Sequence, residues 1–292
     1  MRERALTFGP DGILVGILTE PDPESVRADA PTQVILNSGI IHRVGASRLY
    51  VQIARAMAEE GFTTLRFDFS GVGDSEARRD ALPIEERFVV ETREAMDYLG
   101  GVTGADRFVV GGLCSGADGA FWAGLEDERI SGIWQIDAFS YRTPGYYLRR
   151  YGPQLLDPRA WIHSIRSRIR RADGEPGDEV FVAPEYQRIF PPRSTVREGL
   201  ARLLDRRVEL YFFFSGDADY NYAGQHADAF PGIGLGEQAV IHHAPEASHT
   251  LTRLEHQRQV VDDLAGWMRS RWPEVPEVEA EGTSPSTGEV PS

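Results

Sequence analysis

The chain has 292 residues, of which 41% are hydrophobic and 26% charged, enough to bury the core of one large domain or two small ones. Its formal net charge of −14 argues against general nucleic-acid binding, and no apolar run reaches the roughly 18 residues of a membrane-spanning helix. The N-terminal sequence lacks the basic, apolar and small-residue order of a signal peptide, so we expect a cytoplasmic protein. The single cysteine excludes an internal disulfide, and the lack of lysine excludes Schiff-base chemistry.

Strand and helix patterns alternate along the first half of the sequence. Residues 1–20 predict two short strands joined by a turn-rich tetrapeptide. From residue 32 to residue 139, apolar β-branched runs alternate with segments of helical spacing, which is typical of parallel strands joined by crossover helices on both faces of a sheet. The predicted strands are 32–39, 62–69, 106–114 and 129–139, and the predicted helices are 47–61, 84–101 and 115–126.

The alternation stops at residue 140, where a segment rich in Arg, Pro and aromatic residues begins. We interpret residues 140–205 as an inserted, mostly helical lid. Two strand patterns and a last helix follow, so the predicted core comprises residues 1–139 and 206–272. Residues 273–292 are rich in Pro, Glu and Ser, which predicts a disordered acidic tail. The sequence thus predicts an α/β fold with a mostly parallel central sheet, helices on both faces and an inserted lid.

The charge is unevenly distributed along the chain. All 31 cationic side chains are Arg, and the segment 142–207 holds 14 of them against 8 acidic residues. One interpretation is an ordinary solvated helical surface, and the other is a docking face for an anionic partner or substrate. The densest part of this basic segment consists of Arg166, Arg168, Arg170 and Arg171.

The stretch "FVVGGLCSGADGA" has the layout of a nucleophile elbow, a tight turn between a strand and a helix. Such a turn needs small residues two places before and two places after the nucleophile, because the backbones approach closely there. Gly112 and Gly116 satisfy this requirement around Cys114, whereas Leu113 would clash if Ser115 were the central residue. We therefore predict Cys114 as the nucleophile and Ser115 as a backbone N–H donor to an oxyanion hole, although a lone Cys is most often a buried small hydrophobe.

A thiol nucleophile at an elbow needs a base, a group that orients the base, and a second oxyanion donor. His249 lies in a loop after the last predicted strand and is the predicted base. Asp219 follows an earlier strand and is the predicted acid, with Asp217 as the alternative. The loop after the first parallel strand predicts the backbone N–H of Ile40 as the second donor, unless that loop is an ordinary strand-to-helix turn.

These pieces together resemble the α/β-hydrolase superfamily. The resemblance lies in "VILNSG", "LRFDFSGVGDS", "GGLCSGA", "SGDAD" and "ASH", which occur in the family's order over residues 32–270. It implies the α/β-hydrolase fold and a catalytic triad. A narrower resemblance is to hydrolases that accompany exosortase and exopolysaccharide loci, and to thioesterase-like relatives encoded beside carrier-protein genes. Two departures are Cys114 in place of the usual Ser, and Ser38-Gly39 in place of His-Gly.

A cysteine nucleophile points to thioester chemistry, because a thiolate exchanges acyl groups with a thioester nearly isoenergetically. We expect a thioesterase or acyltransferase that acts through a Cys-His-Asp triad on acyl groups carried by coenzyme A or an acyl carrier protein, without a cofactor or a metal. Both carriers are anionic, so the basic segment would attract them. The alternatives are a Cys-dependent ester or lactone hydrolase, similar to dienelactone hydrolases, and a non-catalytic binding scaffold of the same fold.

Overall fold

The structure is a computed structural model, and it describes residues 1–27, 29–80, 82–155 and 190–274. Eight strands form one sheet at its centre. They are β1 (Arg2–Phe8), β2 (Leu14–Glu20), β3 (Thr32–Leu36), β4 (Thr64–Phe67), β5 (Phe108–Leu113), β6 (Ile130–Ile136), β7 (Glu209–Ser215) and β8 (Ala239–Ala244).

Seven α-helices occur in the described part of the chain, most of them between consecutive strands. They are α1 (Leu49–Glu59), α2 (Ile84–Thr103), α3 (Ser115–Glu126), α4 (Pro144–Leu155), α5 (Arg193–Asp205), α6 (Gln225–Ala229) and α7 (Leu254–Arg271).

The strand order in the sheet is β1-β2-β4-β3-β5-β6-β7-β8. β1 pairs antiparallel with β2, and β2 pairs antiparallel with β4, whereas all the later neighbours are parallel. The carboxyl ends of β3, β5, β6, β7 and β8 therefore lie along one edge of the sheet. Loops that leave this edge are the usual place for a site in an open parallel sheet.

The central strands are buried on both faces. Successive side chains of a strand point to opposite sides of the sheet, so they enter two different cores. In β3, Val34 and Leu36 pack into a core with α2, α3 and α5, whereas Ile35 packs into a second core with α1 and α7. All three side chains are almost fully inaccessible to solvent. The burial of β3 on both faces thus has its usual cause, helices on both sides of a parallel sheet.

A glycine allows the centre of the sheet to hold its largest side chain. Gly111 in β5 is the register partner of Trp134 in β6. A Cβ atom at residue 111 would lie 2.2 Å from the indole ring of Trp134. The ring therefore lies over bare backbone at Gly111, three residues before Cys114.

The predicted fold class is confirmed: the sheet is mostly parallel and has helices on both faces. Of the expected lid, the structure describes α4 and α5 at its two ends. The cluster Arg166, Arg168, Arg170 and Arg171 lies outside the described residues, as does the tail from residue 275. Across the described ranges, no helix combines the length and the apolar character needed to cross a bilayer.

Candidate active site

Cys114 lies at a strained turn between β5 and α3. Its backbone has φ 57° and ψ −119°, a conformation that costs free energy for any residue with a side chain. Ser115 is already the first residue of α3. The backbone N–H of Cys114 donates to the carbonyl of Ile136 at 2.9 Å, which fixes the turn beside the end of β6. Cys114, and not Ser115, therefore occupies the central position of the elbow, and its side chain is partly exposed.

The two elbow glycines are required by the close approach of the backbones. A Cβ atom on Gly112 would lie 2.8 Å from the carbonyl carbon of Gly116 and 2.9 Å from the carbonyl oxygen of Leu36. A Cβ atom on Gly116 would lie 2.6 Å from the carbonyl oxygens of both Leu36 and Asn37. Real Cβ atoms do not tolerate such distances without a backbone shift. The glycines let α3 begin in direct contact with the chain that follows β3.

His249 lies between a carboxylate and the Cys114 thiol. Its Nδ1 is 2.6 Å from Oδ2 of Asp137, and its ring also forms a side-chain hydrogen bond with Cys114. The Asp137 hydrogen bond first, and the Cys114 interaction second, raise the pKa of His249 from 6.5 to about 10. Both partners favour the protonated form of the ring, so His249 is an imidazolium at neutral pH.

The sequence-based choice of the acid needs correction. Asp219 was expected to orient His249, but its carboxylate accepts hydrogen bonds from Arg142 Nε at 3.0 Å and from the Tyr146 hydroxyl at 3.3 Å. The carboxylate bonded to the His249 ring is Asp137, directly after β6. The physical reason is the strand order, because β6 lies next to β5 whereas β7 is one strand farther away.

The alternative acid, Asp217, also contacts His249, but at the backbone. Its Oδ2 accepts the main-chain N–H of His249 at 2.8 Å. A second link joins the same two loops, because the N–H of Gly216 donates to the carbonyl of Ala247 at 2.9 Å. Asp217 thus holds the loop that carries His249, while Asp137 holds its ring.

Asp137 is itself tightly fixed. Its side chain is buried, and Oδ1 accepts the N–H of Ser215 while Oδ2 accepts the Ser215 hydroxyl, each at 2.7 Å. Its own N–H donates to the carbonyl of Phe213 at 2.8 Å. The first residues after β6 are thereby bound to the end of β7, and the carboxylate points along the sheet edge toward His249.

The predicted oxyanion donors lie next to the elbow. Ser38 and Ile41 form a turn closed by a hydrogen bond from the Ile41 N–H to the Ser38 carbonyl at 2.9 Å. Ile40 lies at the tip of this turn, and the residue is 68% exposed. The Ser115 hydroxyl accepts a hydrogen bond from the N–H of Gly39 at 2.7 Å. This hydrogen bond joins the turn that carries Ile40 to the first residue of α3, which follows Cys114.

The far side of this turn is anchored to a buried carboxylate. Asp68 is fully inaccessible, and it accepts the backbone N–H of Arg43 at 2.5 Å and binds the Arg43 guanidinium. The Asn37 side chain bridges the same carboxylate to the carbonyl of Ile41. The loop after β3 is thus held by charged and amide groups on its inner side.

The glycine-rich turn at residues 71–75 wraps around the Asp68 carboxylate. The N–H of Asp74 donates to Asp68 Oδ2 at 3.1 Å, and a Cβ atom on Gly73, where φ is +56°, would lie 2.4 Å from the same oxygen. The turn therefore has a structural role in holding the loop after β3.

A cleft of about 310 Å³ opens beside the three side chains. One wall carries Cys114 and His249, and Phe190 supplies an aromatic surface. Asp219 lies in the cleft wall, where its ion pair with Arg142 offsets its charge. The full lining is Cys114, Asp137, Ala138, Ser140, Phe190, Asp217, Ala218, Asp219 and His249.

Comparison with known proteins gives a consistent result for the fold. No protein-family model matches this sequence, and no curated protein matches it. Solved structures do match along almost the whole chain. A hypothetical protein from Pseudomonas aeruginosa has a TM-score of 0.59 at 19% identity, with 92% of this chain and 93% of that chain covered.

Two further matches have more informative descriptions. An α/β serine hydrolase without a lid from Xanthomonas campestris has a TM-score of 0.55 at 16% identity, with 94% of this chain and 98% of that chain covered. The chain has the α/β-hydrolase fold. An esterase domain from a Rhodothermus marinus protein also has a TM-score of 0.55, at 18% identity, with 92% and 99% covered.

Within this α/β-hydrolase fold, Asp137 is the site residue that the sequence analysis missed. The stretch "QIDAF" was interpreted as the end of a strand, although it has the signal used for Asp219, an acidic residue at the carboxyl end of a strand. Both aspartates precede His249 and follow Cys114, so chain order alone does not separate them. The pairing of β6 with β5 does.

Proposed function

We propose that the protein is an acyl-thioester hydrolase or acyltransferase that works through a covalent S-acyl-enzyme on Cys114. The observation that carries this proposal is the position of His249, with its ring held between the Asp137 carboxylate and the Cys114 sulfur. Asp137 occupies Nδ1, which leaves Nε2 as the ring nitrogen that faces the thiol. A nucleophile, a base and an orienting acid are the three parts that covalent acyl transfer needs.

In the acylation step, the Cys114 thiolate attacks the carbonyl carbon of the thioester and a new C–S bond forms. The carbonyl oxygen becomes an oxyanion, which the backbone N–H groups of Ser115 and Ile40 stabilise. Collapse of the tetrahedral intermediate breaks the bond to the leaving sulfur. The proton of the His249 imidazolium neutralises the departing thiolate, and Asp137 keeps the ring oriented throughout.

In the second step, neutral His249 accepts a proton from water or from another nucleophile as that group attacks the S-acyl carbonyl. The second tetrahedral intermediate expels the Cys114 thiolate, which restores the thiolate–imidazolium pair. Water gives a free acid, and an alcohol or amine acceptor gives an ester or amide. The same residues serve hydrolysis and transfer, and the acceptor decides which of the two occurs.

The thiol nucleophile favours thioesters over oxygen esters as substrates. A thiolate is both the attacking and the leaving group in the first step, so neither direction is strongly uphill. Thioesters on coenzyme A or on an acyl carrier protein also carry negative charge, and the Arg-rich segment 142–207 would attract them electrostatically. We propose the basic cluster Arg166, Arg168, Arg170 and Arg171 as the docking contact for that charge.

Intact-protein mass spectrometry tests the proposal. The protein is mixed with a panel of acyl-coenzyme A and acyl-pantetheine thioesters, and a mass gain equal to the acyl group is expected. Cys114→Ala should abolish both the mass gain and turnover. Turnover of simple esters or lactones without any reaction with thioesters would favour the ester or lactone hydrolase instead. A Cys114 that reacts with neither thioesters nor iodoacetamide would contradict an enzymatic role.

A further inference from the structure

The turn at residues 38–41 leaves two backbone donors pointing away from itself. In a four-residue turn closed from the last N–H to the first carbonyl, the two central N–H groups have no acceptor within the turn. Here the closing bond joins Ile41 and Ser38, so the central donors belong to Gly39 and Ile40. Gly39 has φ +54°, which glycine adopts without the strain that a side chain would add.

These two donors have different partners. The Gly39 N–H donates to the Ser115 hydroxyl oxygen at 2.7 Å, a short distance for a bond of this type. This bond crosses between two segments that are 76 residues apart in sequence. The neighbouring central residue, Ile40, is exposed at the tip of the turn, and its N–H is the oxyanion donor named in the proposed function. The Ser115 side chain thus holds the turn through the Gly39 N–H, while the N–H groups of Ser115 and Ile40 are the two expected oxyanion donors.

We propose that the Ser115 side chain is a positioning residue for the oxyanion hole. Its hydroxyl binds the 38–41 turn to the elbow, so that the N–H groups of Ile40 and Ser115 face the same oxygen. The proposal deepens the proposed function and rests on it, because an oxyanion forms only if Cys114 attacks a carbonyl.

The other contacts of the loop after β3 explain why the Ser115 hydroxyl can affect the position of the 38–41 turn. Asn37 and Arg43 hold another part of the loop to the Asp68 carboxylate. The contact between Gly116 and the carbonyl of Asn37 brings α3 close enough for the Ser115 hydroxyl to reach Gly39. Preorganised donors depend on such fixed distances, since they must already face the oxygen when its charge develops.

The proposal separates two reactions of the same sulfur. Acylation of Cys114 passes through an oxyanion, whereas alkylation by iodoacetamide is a displacement at carbon and forms none. Loss of the Ser115 hydroxyl should therefore slow acylation and leave alkylation unchanged. A general disturbance of the elbow, or of the thiolate, would slow both reactions together.

The experiment uses the full chain with p-nitrophenyl acetate as the acylating probe and iodoacetamide as the alkylating probe. We expect Ser115→Ala to lower the single-turnover acylation rate by about 10-fold, less than the 10²–10³-fold typical of deleting a donor outright. The alkylation rate should stay within about twofold, and Ser115→Thr, which keeps the hydroxyl, should restore acylation. Ser131→Ala is the matched control, because its hydroxyl contacts the Phe108 carbonyl at the opposite end of β5 and β6.

The outcomes distinguish this proposal from the proposed function. Equal acylation rates in Ser115→Ala and the wild type, or a parallel loss of alkylation, would overturn the role of the Ser115 side chain. A normal acetyl burst on Cys114 without reaction with any thioester would contradict the thioester substrate and leave the Ser115 result standing. A wild-type protein whose Cys114 is not acetylated at all would overturn both.

Discussion

Asp137 and His249 are joined by a 2.6 Å hydrogen bond between Oδ2 and Nδ1, although 112 residues separate them in sequence. Asp137 lies directly after β6, and His249 lies in the loop between β8 and α7. Two hydrogen bonds from Ser215 also hold the Asp137 carboxylate in place. The pair of Asp137 and His249 determines which ring nitrogen faces Cys114.

Asp137→Asn should lower kcat by about 10²–10³-fold with a small change in KM. The amide removes the charge that holds the imidazolium and can donate to Nδ1, which favours the wrong tautomer. The loss should be smaller than for a serine nucleophile, because a thiol ionises with less help. Steady-state kinetics with a neutral acyl-N-acetylcysteamine thioester measure the effect.

Asp219→Asn is the control for this substitution, because it makes the same chemical change in the same cleft without touching His249. Its kcat should remain within about threefold of the wild type, a range that corresponds to less than 1 kcal/mol. Asp217→Asn should have an intermediate effect, since Asp217 binds only the backbone N–H of His249. A larger loss for Asp219→Asn than for Asp137→Asn would return the orienting role to Asp219.

The raised pKa of His249 predicts the alkaline limit of activity. With a pKa of about 10, the imidazolium persists at neutral pH, and kcat/KM should fall as pH rises through about 10. Asp137→Asn removes the largest cause of the shift, so its alkaline limb should move to lower pH. Because the folded state raises the pKa of His249, protonation of this ring stabilises the fold. The contribution is fully present below pH 6.5 and is lost as pH rises through about 10. A pH–rate profile with an unshifted limb in Asp137→Asn would contradict this assignment.

The close backbone contacts of Gly116 predict that Gly116→Ala and Gly101→Ala change the free energy of unfolding in opposite directions. Gly116→Ala forces a Cβ atom to 2.6 Å from two backbone oxygens, and we expect a loss of about 1–3 kcal/mol in the free energy of unfolding. Gly101→Ala is the matched control, because no atom lies within 4 Å of its added Cβ in α2. That change should stabilise the protein by about 0.5–1 kcal/mol. Urea denaturation of both variants measures the difference, and equal free energies would contradict the close approach.

If the basic cluster docks an anionic carrier, reversing its charge should lower kcat/KM for charged thioesters only. The double variant Arg166→Glu/Arg168→Glu should lower kcat/KM for an acyl-coenzyme A or a carrier-bound thioester, mainly through slower association. It should barely change kcat/KM for a neutral acyl-N-acetylcysteamine thioester. Added salt should reproduce this selectivity, because exposed charges are screened beyond about 8–10 Å near physiological ionic strength.

The variant Arg2→Glu/Arg258→Glu makes the same change in net charge at exposed positions outside the basic segment. It should leave the two substrates with their wild-type ratio of kcat/KM. An equal loss on both substrates in the Arg166→Glu/Arg168→Glu variant would indicate a structural role for these arginines. No loss on either substrate would remove the support for a charged carrier.

Local features of the sequence were sufficient to predict the elements and the elbow. The elbow register depended on steric limits within five residues, since Gly112 and Gly116 flank Cys114 and leave no room for a side chain. The position of His249 was predicted because it follows the last strand in an otherwise turn-rich loop. Each of these inferences concerns residues that are close in sequence, where backbone geometry is set locally.

The identity of the acid was a different problem, because Asp137, Asp217 and Asp219 all follow strands and precede His249. Only the lateral order of the strands decides which carboxylate reaches the ring: β6 pairs with β5, and Asp137 therefore lies beside the elbow. The Ser115–Gly39 bond was equally hidden, because it joins segments 76 residues apart. The sequence by itself determined the position of Cys114 at the tight turn between β5 and α3, through short-range sterics. The tertiary structure decided its partners, because strand pairing and the loops that leave the sheet edge bring distant residues within hydrogen-bond distance.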